Sequence, residues 1–331
     1  MRIAVDGMGG DHAPAVVVDG VVEAAREYGY EIILVGDEAT LTKELQRHEA
    51  YPKTITIRHA AEVVGMAEPA TTSIRKKKDS SMTVCVELVK SGGADAMMSA
   101  GNTGAVVCAA VFKLGLLPGV ERPGIAIVFP TLKGPGMIID AGANIDPKPQ
   151  HLLQYGLMAD AYSKKILGKE NPTIGLLNIG EEENKGTDFV KETHKLLNES
   201  RINFIGNVEG RDIWNGRSDV IVCDGFLGNV VLKVSESVAF TIVEFLKTEL
   251  KKSFMARLSV LLAKSAFKAF KNKIDYAEYG GAPLLGVNGA VIISHGSSNK
   301  KAIKNAIRVA AEFKEKDVNR LIMEEIEKWK K

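Results

Sequence analysis

The chain has 331 residues, of which 45% are hydrophobic and 25% are charged, and its formal net charge at pH 7 is +2. A chain of this length buries roughly 75% of its unfolded surface on folding, so it needs no disulfide framework, and its three scattered cysteines do not form one. The first residues carry no signal-peptide pattern and no uninterrupted apolar run approaches ~18 residues, so we expect a cytoplasmic protein without a membrane-spanning helix.

Apolar runs of strand length alternate with helical patterns along most of the chain. Strands are predicted at residues 3–6, 32–35, 54–58, 96–99, 124–129, 137–140, 173–177, 203–206, 220–223 and 290–294. Helices are predicted at residues 16–28, 83–91, 104–113, 149–166, 188–197, 230–250 and 300–314. This alternation predicts a mostly parallel sheet covered on both faces. Because no repeat or low-complexity linker divides the chain, we predict a single α/β unit over residues 1–331.

Residues 235–282 interrupt the alternation with a long helical stretch that we expect to protrude. Residues 251–274 contain seven basic side chains and no acidic one. On a helix, the basic side chains lie opposite an apolar face; the residues that we assign to a membrane contact are Phe254, Leu258, Leu261, Leu262, Lys264 and Lys268. Such a helix is typical of an anionic membrane surface, and burial in a dimer interface is the alternative. The basic charge is local, without a nucleic-acid reading motif, so we predict no nucleic-acid partner.

Four polar, glycine-rich turns follow predicted strands and precede helices: VDGMGGDHAP (5–14), SAGNTGA (99–105), CDGFLGN (223–229) and SHGSSNK (294–300). Glycine lets the backbone approach a ligand closely, and a helix N-terminus presents unpaired N–H groups. Together these features favour an anion such as phosphate, although ordinary turns and caps use the same residue types. We expect the four loops to meet at the edge of the sheet where parallel strands end.

A fifth loop, NIGEEENKGTD (178–188), places Lys185 between a strand and a helix. Lys185 either forms a solvated ion pair with the neighbouring glutamates or neutralises a bound phosphate. The chain lacks the dinucleotide-binding, serine-hydrolase, zinc-protease and C-x-x-C motifs. We therefore predict no metal and no cofactor. Cys223 is expected in the core, while His12 and His295 belong either to the site or to loop capping.

Eight motifs, in order from residue 3 to about residue 296, resemble the bacterial phosphate acyltransferase family known as PlsX. They are VDGMGGDHAP, SIRKKKDSSM (73–82), SAGNTGA, ERPG (121–124), DAGAN (140–144), GLLNIGEEENKG (175–186), CDGFLGNVVLK (223–233) and YGGAPLLGVNG (279–289). Gly7 departs from the family, which more often has alanine there. The resemblance implies a homodimer with a Rossmann-like three-layer α/β/α sandwich, similar to isopropylmalate dehydrogenases.

The resemblance also implies a reaction and its partners. A fatty acyl group would pass from acyl carrier protein to inorganic phosphate, and the acyl phosphate would feed phospholipid synthesis. A membrane glycerol-3-phosphate acyltransferase would consume that product, so the protein is expected to be cytoplasmic and peripherally membrane-associated. Phosphate is already anionic near pH 7 and a thiolate with a pKa of about 8.5 leaves without a strong acid, so the site needs mainly positioning and oxyanion stabilisation.

The site residues follow from this chemistry as hypotheses. Phosphate binding is assigned to Gly9, Gly10, Ser99, Gly101, Asn102, Thr103, Gly104 and Gly228. Catalytic roles are assigned to Lys185 as the neutralising cation, to Asp224 and Asn229 in the cradle, and to His12 or His295 at the oxyanion or the leaving thiolate. Acyl carrier protein is expected to bind Arg75, Lys76, Lys77 and Lys78, for which a solvated basic run is the alternative.

Two other functions remain open at this point. A metal- and nicotinamide-dependent dehydrogenase of related fold would need convergent arginines for a carboxylate substrate and would change absorbance with NAD. A non-catalytic membrane-surface adaptor for acyl carrier protein would bind liposomes even after the glycine loops are mutated, and it would show no turnover.

Overall fold

The computed structural model describes residues 1–252, 263–265 and 276–330. The strands are β1 (Arg2–Asp6), β2 (Glu31–Gly36), β3 (Ile55–His59), β4 (Ala96–Ser99), β5 (Gly124–Thr131), β6 (Gly134–Ile139), β7 (Ile174–Leu177), β8 (Phe204–Val208), β9 (Val220–Val222), β10 (Ala282–Leu285) and β11 (Ala290–Ile293). The helices are α1 (Ala15–Tyr28), α2 (Glu38–Leu45), α3 (Ala70–Lys76), α4 (Ser81–Lys90), α5 (Thr103–Lys113), α6 (Pro149–Ile166), α7 (Asp188–Asn198), α8 (Asp212–Asn215), α9 (Gly225–Lys252), α10 (Lys300–Glu315) and α11 (Val318–Lys330). Every strand and helix predicted within the described residues is present; β10, α2, α3, α8 and α11 were not predicted. The part of the predicted helical stretch between residues 253 and 275 lies mostly outside the described residues.

The strands form one sheet in the order β3-β2-β1-β4-β11-β10-β5-β6-β9-β7-β8. Most neighbouring pairs are parallel, which confirms the predicted sheet type. The central pairs β11–β10, β10–β5 and β5–β6 are antiparallel. Three successive reversals leave β6, β9, β7 and β8 running opposite to β3, β2, β1, β4 and β11. The sheet therefore has two parallel halves of opposite direction.

Helices cover both faces of this sheet. Successive side chains of a strand point to opposite faces, and β1 shows the consequence. Ile3 and Val5 belong to the apolar cluster that includes α1, α6, α10 and α11, whereas Ala4 belongs to the cluster that includes α4 and α5. The predicted three-layer α/β/α arrangement is confirmed.

The first apolar cluster joins the two halves of the sheet. It contains Ile3 of β1 together with Ile174 of β7 and Val220 of β9. A core shared in this way supports the single α/β unit predicted for residues 1–331, which stays a prediction until unfolding is measured.

Helix α9 leaves the body of the molecule. It has 28 residues, of which only Gly225 and Gly228 are buried. The helix begins at Gly225, before the predicted stretch 235–282, but Leu232 still packs against the apolar core, and residue 282 belongs to β10. The bounds of the protrusion stay a prediction. By length and composition alone, α9 could cross a membrane, a property hidden in the sequence because residues such as Glu236 interrupt its apolar runs. The membrane residues predicted beyond it, Phe254, Leu258, Leu261, Leu262 and Lys268, lie outside the described residues, and Lys264 is exposed.

Candidate active site

Three of the glycine loops form a first cluster around the buried carboxyl group of Asp6, at the end of β1. Ser99 Oγ donates a 2.6 Å hydrogen bond to Asp6 Oδ2, and the Gly101 N–H donates to Ser99 Oγ at 3.0 Å. The Asp11 N–H donates to the Gly296 carbonyl at 2.8 Å. Burial raises the pKa of Asp6, and the hydroxyl and N–H donors around it oppose that rise.

The close packing of this cluster requires glycine at two positions. A Cβ on Gly9 would lie 2.5 Å from Asp6 Oδ2 and 2.8 Å from the Gly101 nitrogen. Gly10 has φ +116°, a conformation that other residues rarely adopt. Ser99 and Gly101 are also buried. The four residues shape the loops, while their predicted contact with phosphate stays a prediction.

Asn102 uses its side chain within the protein. Its Oδ1 accepts the Ala105 N–H at 3.0 Å and caps α5, while its Nδ2 donates to the carbonyls of Met66 and Glu68 at 2.9 and 3.0 Å. These bonds tether the loop before α3 to the start of α5. They leave Thr103 and Gly104, which are exposed in the first turn of α5, as the residues whose N–H groups can face an anion.

Both predicted histidines are exposed in the first cluster. The Ser297 N–H donates to His295 Nδ1 at 3.2 Å, and the Ser297 hydroxyl lies 2.7 Å from the same nitrogen. This is the loop-capping role that was one of the two alternatives for His295, and it leaves only Nε2 for a ligand. Among the described residues, His12 has no side-chain hydrogen bond or ion pair.

A second cluster surrounds Asp140, which follows β6 and is buried. Its Oδ1 accepts N–H groups from Ile125, Gly142 and Ala143 at 3.0 to 3.1 Å, and its Oδ2 accepts the Asn144 N–H at 2.7 Å. Burial raises the pKa of Asp140 against the effect of these four donors. The carboxyl group thus folds the DAGAN segment into a compact turn.

This turn packs against the first turn of α9. The Gly225 N–H donates to the Asn144 carbonyl at 2.8 Å, and a Cβ on Gly228 would overlap the Asp140 carbonyl oxygen. Gly228 is therefore needed for close packing. Asn229, one residue further on, is exposed, with its Nδ2 beside Gly142.

Asp224 and Cys223 precede this helix. Asp224 caps α9, because its Oδ1 accepts the Leu227 N–H at 2.9 Å. Cys223 is buried, and burial raises the pKa of its thiol well above the usual value. The core position predicted for Cys223 is confirmed.

Lys185 lies in the loop after β7, the strand next to β9. Asn178 Nδ2 donates to its carbonyl at 3.1 Å and so holds the loop. Its ammonium group is exposed and has no ion pair in the part of the chain that the structure describes, since the nearby Glu181 pairs with Arg211 and Arg217 instead. The solvated ion pair that was the alternative for Lys185 is not present.

Arg122 is a further cation at this edge, to which no role was assigned from the sequence. It is exposed just before β5 and has no hydrogen bond or ion pair within the described ranges. Its neighbourhood contains the second cluster, because the carbonyl of Pro123 accepts a 2.6 Å hydrogen bond from Asn144 Nδ2. The ERPG motif was the available signal for it.

The expectation that all four glycine loops share one edge is wrong. CDGFLGN follows β9, which runs opposite to β1, β4 and β11, and no hydrogen bond among the described residues joins the two clusters. Both clusters nevertheless border one face of the sheet. Ala105 of α5 and Ala141 belong to the same apolar cluster, and Ala143 and Leu232 of α9 pack against it.

The four cations predicted to bind acyl carrier protein differ in whether they already have partners within the protein. Lys77 donates to Glu68 Oε1 at 2.6 Å and to the Val63 carbonyl at 2.7 Å, so it belongs to the local structure. Arg75, Lys76 and Lys78 are exposed, with Arg75 lying over the ring of Phe112. No group of three or more metal-ligating side chains lies together in the described residues.

Comparisons with known proteins decide the family. Residues 1–321 match the model of a family described as fatty acid synthesis protein. A phosphate acyltransferase from Geobacter sulfurreducens is 52% identical over 99% of this chain and 94% of its own length, and one from Nitratidesulfovibrio vulgaris is 51% identical over 98% and 94%. The chain belongs to the phosphate acyltransferase family. The resemblance to PlsX is confirmed, and the chain is an acyltransferase rather than a dehydrogenase or a non-catalytic adaptor.

Solved structures agree with this fold. A phosphotransacetylase from Streptococcus pyogenes superposes with a TM-score of 0.62 at 19% identity, covering 94% of this chain and 93% of its own. A 4-hydroxythreonine-4-phosphate dehydrogenase from Klebsiella pneumoniae superposes with a TM-score of 0.55 at 12% identity, covering 95% and 99%. At such low identity, these two likenesses show only that the fold of this chain is similar to theirs.

Proposed function

We propose that the protein transfers a fatty acyl group from acyl carrier protein to inorganic phosphate. The acyl phosphate product would serve phospholipid synthesis. The observation that carries this proposal is the second cluster, where Asp140 holds a compact turn against the first turn of α9, which follows Asp224 and carries Asn229. Two cations that have no ion pair within the described ranges, Lys185 and Arg122, lie at the same edge of the sheet. Unpaired cations beside fixed polar groups suit a phosphate nucleophile better than any neutral one.

The reaction needs one displacement at the thioester carbonyl. A phosphate oxygen forms the new C–O bond, the C–S bond breaks, and its electron pair leaves with the sulfur of the carrier's thiol. Lys185 and Arg122 would hold the phosphate and neutralise its charge. The Asn229 side-chain N–H would donate to the oxyanion.

The test is thiol release from hexadecanoyl acyl carrier protein with and without inorganic phosphate, with acyl phosphate trapped by hydroxylamine. The expected result is phosphate-dependent release with one acyl phosphate for each thiol. Release that is independent of phosphate, with free fatty acid as the product, would show a thioesterase and overturn the proposal.

Acyl carrier protein is the proposed donor, with Arg75, Lys76 and Lys78 as its contact. Charge reversal of the exposed pair Lys76→Glu and Lys78→Glu should raise KM for the carrier-bound substrate several-fold and leave a small pantetheine thioester unaffected. Lys90→Glu, an exposed basic residue at the end of α4, is the matched control. Equal KM values for the pair and the control would favour a merely solvated basic run.

The remaining partners rest on α9 and the residues after it. We propose a homodimer through the outer part of α9, where Val238, Ile242 and Phe245 are exposed. Contact with an anionic membrane, and with a membrane glycerol-3-phosphate acyltransferase that uses the product, is proposed for residues 254–268. These contacts would make a cytoplasmic protein peripherally membrane-associated, and flotation with anionic but not neutral liposomes tests that.

A further inference from the structure

Three large apolar side chains around the second cluster are exposed to solvent. Ile145, Ile179 and Phe226 are 74%, 83% and 64% exposed. Each follows the carboxyl end of a strand, and those strands, β6, β7 and β9, are neighbours in the sheet. Exposed apolar groups gathered at one place mark a binding surface.

The backbone brings two of these side chains together. The Gly225 N–H donates to the Asn144 carbonyl at 2.8 Å, and Phe226 and Ile145 are the next residues on the two sides of that bond. β7 pairs with β9 in parallel through Leu176 and Val222. Ile179 therefore leaves the sheet beside the start of α9.

The apolar surface continues along α9. Phe226, Val230 and Val234 are spaced by four residues and are all exposed, so they form the inner part of one ridge of the helix. The same spacing continues outward to Val238 and Ile242, the residues proposed for the dimer. The inner part is roughly 12 Å long at 1.5 Å per residue. It begins in the same helical turn as Asn229, the proposed oxyanion donor.

We propose that Ile145, Ile179, Phe226 and the Val230–Val234 ridge bind the acyl chain of the substrate. This inference rests on the proposed function, because the chain is attached to the carbonyl that reacts at the second cluster. The chain must leave that carbonyl along some surface, and burying apolar area against apolar area stabilises the complex. Continuity with Asn229 favours the substrate's own acyl chain over a second copy of the protein as the occupant.

The test uses Ile179→Ser and Phe226→Ser, because polar substitutions at exposed positions leave folding intact. Leu132→Ser is the matched control, since Leu132 is 88% exposed in the β5–β6 turn, away from the second cluster. Acyl phosphate formation is measured with hexadecanoyl and butanoyl acyl carrier protein. The ratio of kcat/KM for the long chain to that for the short chain should fall about tenfold in either variant through KM of the long chain. It should not change in the control.

Other outcomes overturn the inference without touching the proposed function. If wild-type protein forms acyl phosphate but both variants lose activity equally with the two substrates, these side chains do not bind the acyl chain. If the variants keep the wild-type ratio but sediment as smaller particles, the surface is an interface between copies. Equilibrium binding of hexadecanoyl carrier protein, which needs no turnover, should weaken by a similar factor in the variants.

Discussion

At the scale of single residues, two buried aspartates organise the loops. Asp6 ends β1 and gathers the Ser99 hydroxyl with nearby N–H groups, and Asp140 follows β6 and gathers four N–H groups. Removing either charge would leave several buried donors without an acceptor, and this would lower the free energy of unfolding. Both carboxylates at these strand ends therefore accept hydrogen bonds from groups of the protein itself.

Lys185 gives the most direct test of the second cluster. Its ammonium group has no ion pair in the described part of the chain, so Lys185→Ala removes a free cation without unpairing another group. We expect kcat/KM for phosphate to fall about 10²-fold, because a positioned donor to developing charge is typically worth that much. Lys191→Ala, an exposed lysine paired only with Asp188, is the control. Equal rates for the two variants would remove Lys185 from the mechanism.

Glu68 predicts how stability depends on pH. Its pKa is lowered to about 2, because Lys77 first, and then the Gly65 N–H and Ser73, stabilise the carboxylate. Because the pKa of Glu68 is lower in the folded protein than in the unfolded chain, where it is near 4.5, its carboxylate stabilises the fold at pH values above 4.5. That contribution to the free energy of unfolding is lost as pH falls toward 2.

The measurement compares melting temperatures of wild type and Glu68→Gln. The variant should melt lower at pH 7, and the difference should shrink as pH falls from 4.5 to 2. Glu183→Gln, which removes an exposed carboxylate without a partner among the described residues, should show no such trend. A difference that stays constant with pH would mean that the Lys77 pair adds no stability.

At the scale of elements, the predicted anion loops divide into shaping and presenting parts. Gly9, Ser99 and Asn102 are used in contacts within the protein, whereas the first turn of α5 and the start of α9 face outward. A helix start presents its N–H groups only when the residues before it are fixed. The buried contacts thus supply the rigidity that the exposed positions need.

The junction of α9 with the DAGAN turn depends on Gly228. Gly228→Ala would place a methyl group on the Asp140 carbonyl oxygen and push the helix away. We expect a loss of about 1–3 kcal/mol in the free energy of unfolding, together with lower activity because Asn229 moves. Urea denaturation measures the first. Gly210→Ala, where a methyl group meets nothing within 4 Å, should change neither, and equal stability of both variants would contradict this packing.

At the scale of the whole molecule, the shared core predicts cooperative unfolding. Ile3 and Ile174 lie in one apolar cluster although they belong to opposite halves of the sheet. In urea, helix content measured by circular dichroism and the fluorescence of Trp214, with Trp329 replaced by Phe, should change at the same concentration. Two separated transitions would show that residues 1–331 contain two independently folding units.

Helix α9 predicts the oligomeric state. Val238→Glu combined with Phe245→Glu would place charges on an exposed apolar face that we expect to be covered by a second copy. Sedimentation should show a dimer for wild type and a monomer for the double variant. Lys247→Glu, on the charged side of the same helix, should remain dimeric. A monomeric wild type would leave this face to another partner.

The sequence by itself determined the elements, the family and the loops that surround the site. Apolar runs, glycines and caps are local signals, so every strand and helix predicted within the described residues is present and Cys223 is buried as predicted. Local signals did not reveal the short strand β10, which reverses the direction of the sheet with β5 and separates CDGFLGN from the other glycine loops.

Only the tertiary structure decided which side chains form hydrogen bonds or ion pairs within the protein. Ser99 meets Asp6 across 93 residues of sequence and Asn102 reaches Met66 across 36, contacts that no local pattern records. Among four consecutive basic residues, Lys77 alone forms an ion pair in the described chain, because Glu68 lies beside it after the chain folds back. Lys185 has no ion pair among the described residues, and the nearby Glu181 pairs with two arginines after β8 instead. Hydrogen-bond partners depend on which strands become neighbours, and pairing between distant strands is a property of the folded chain.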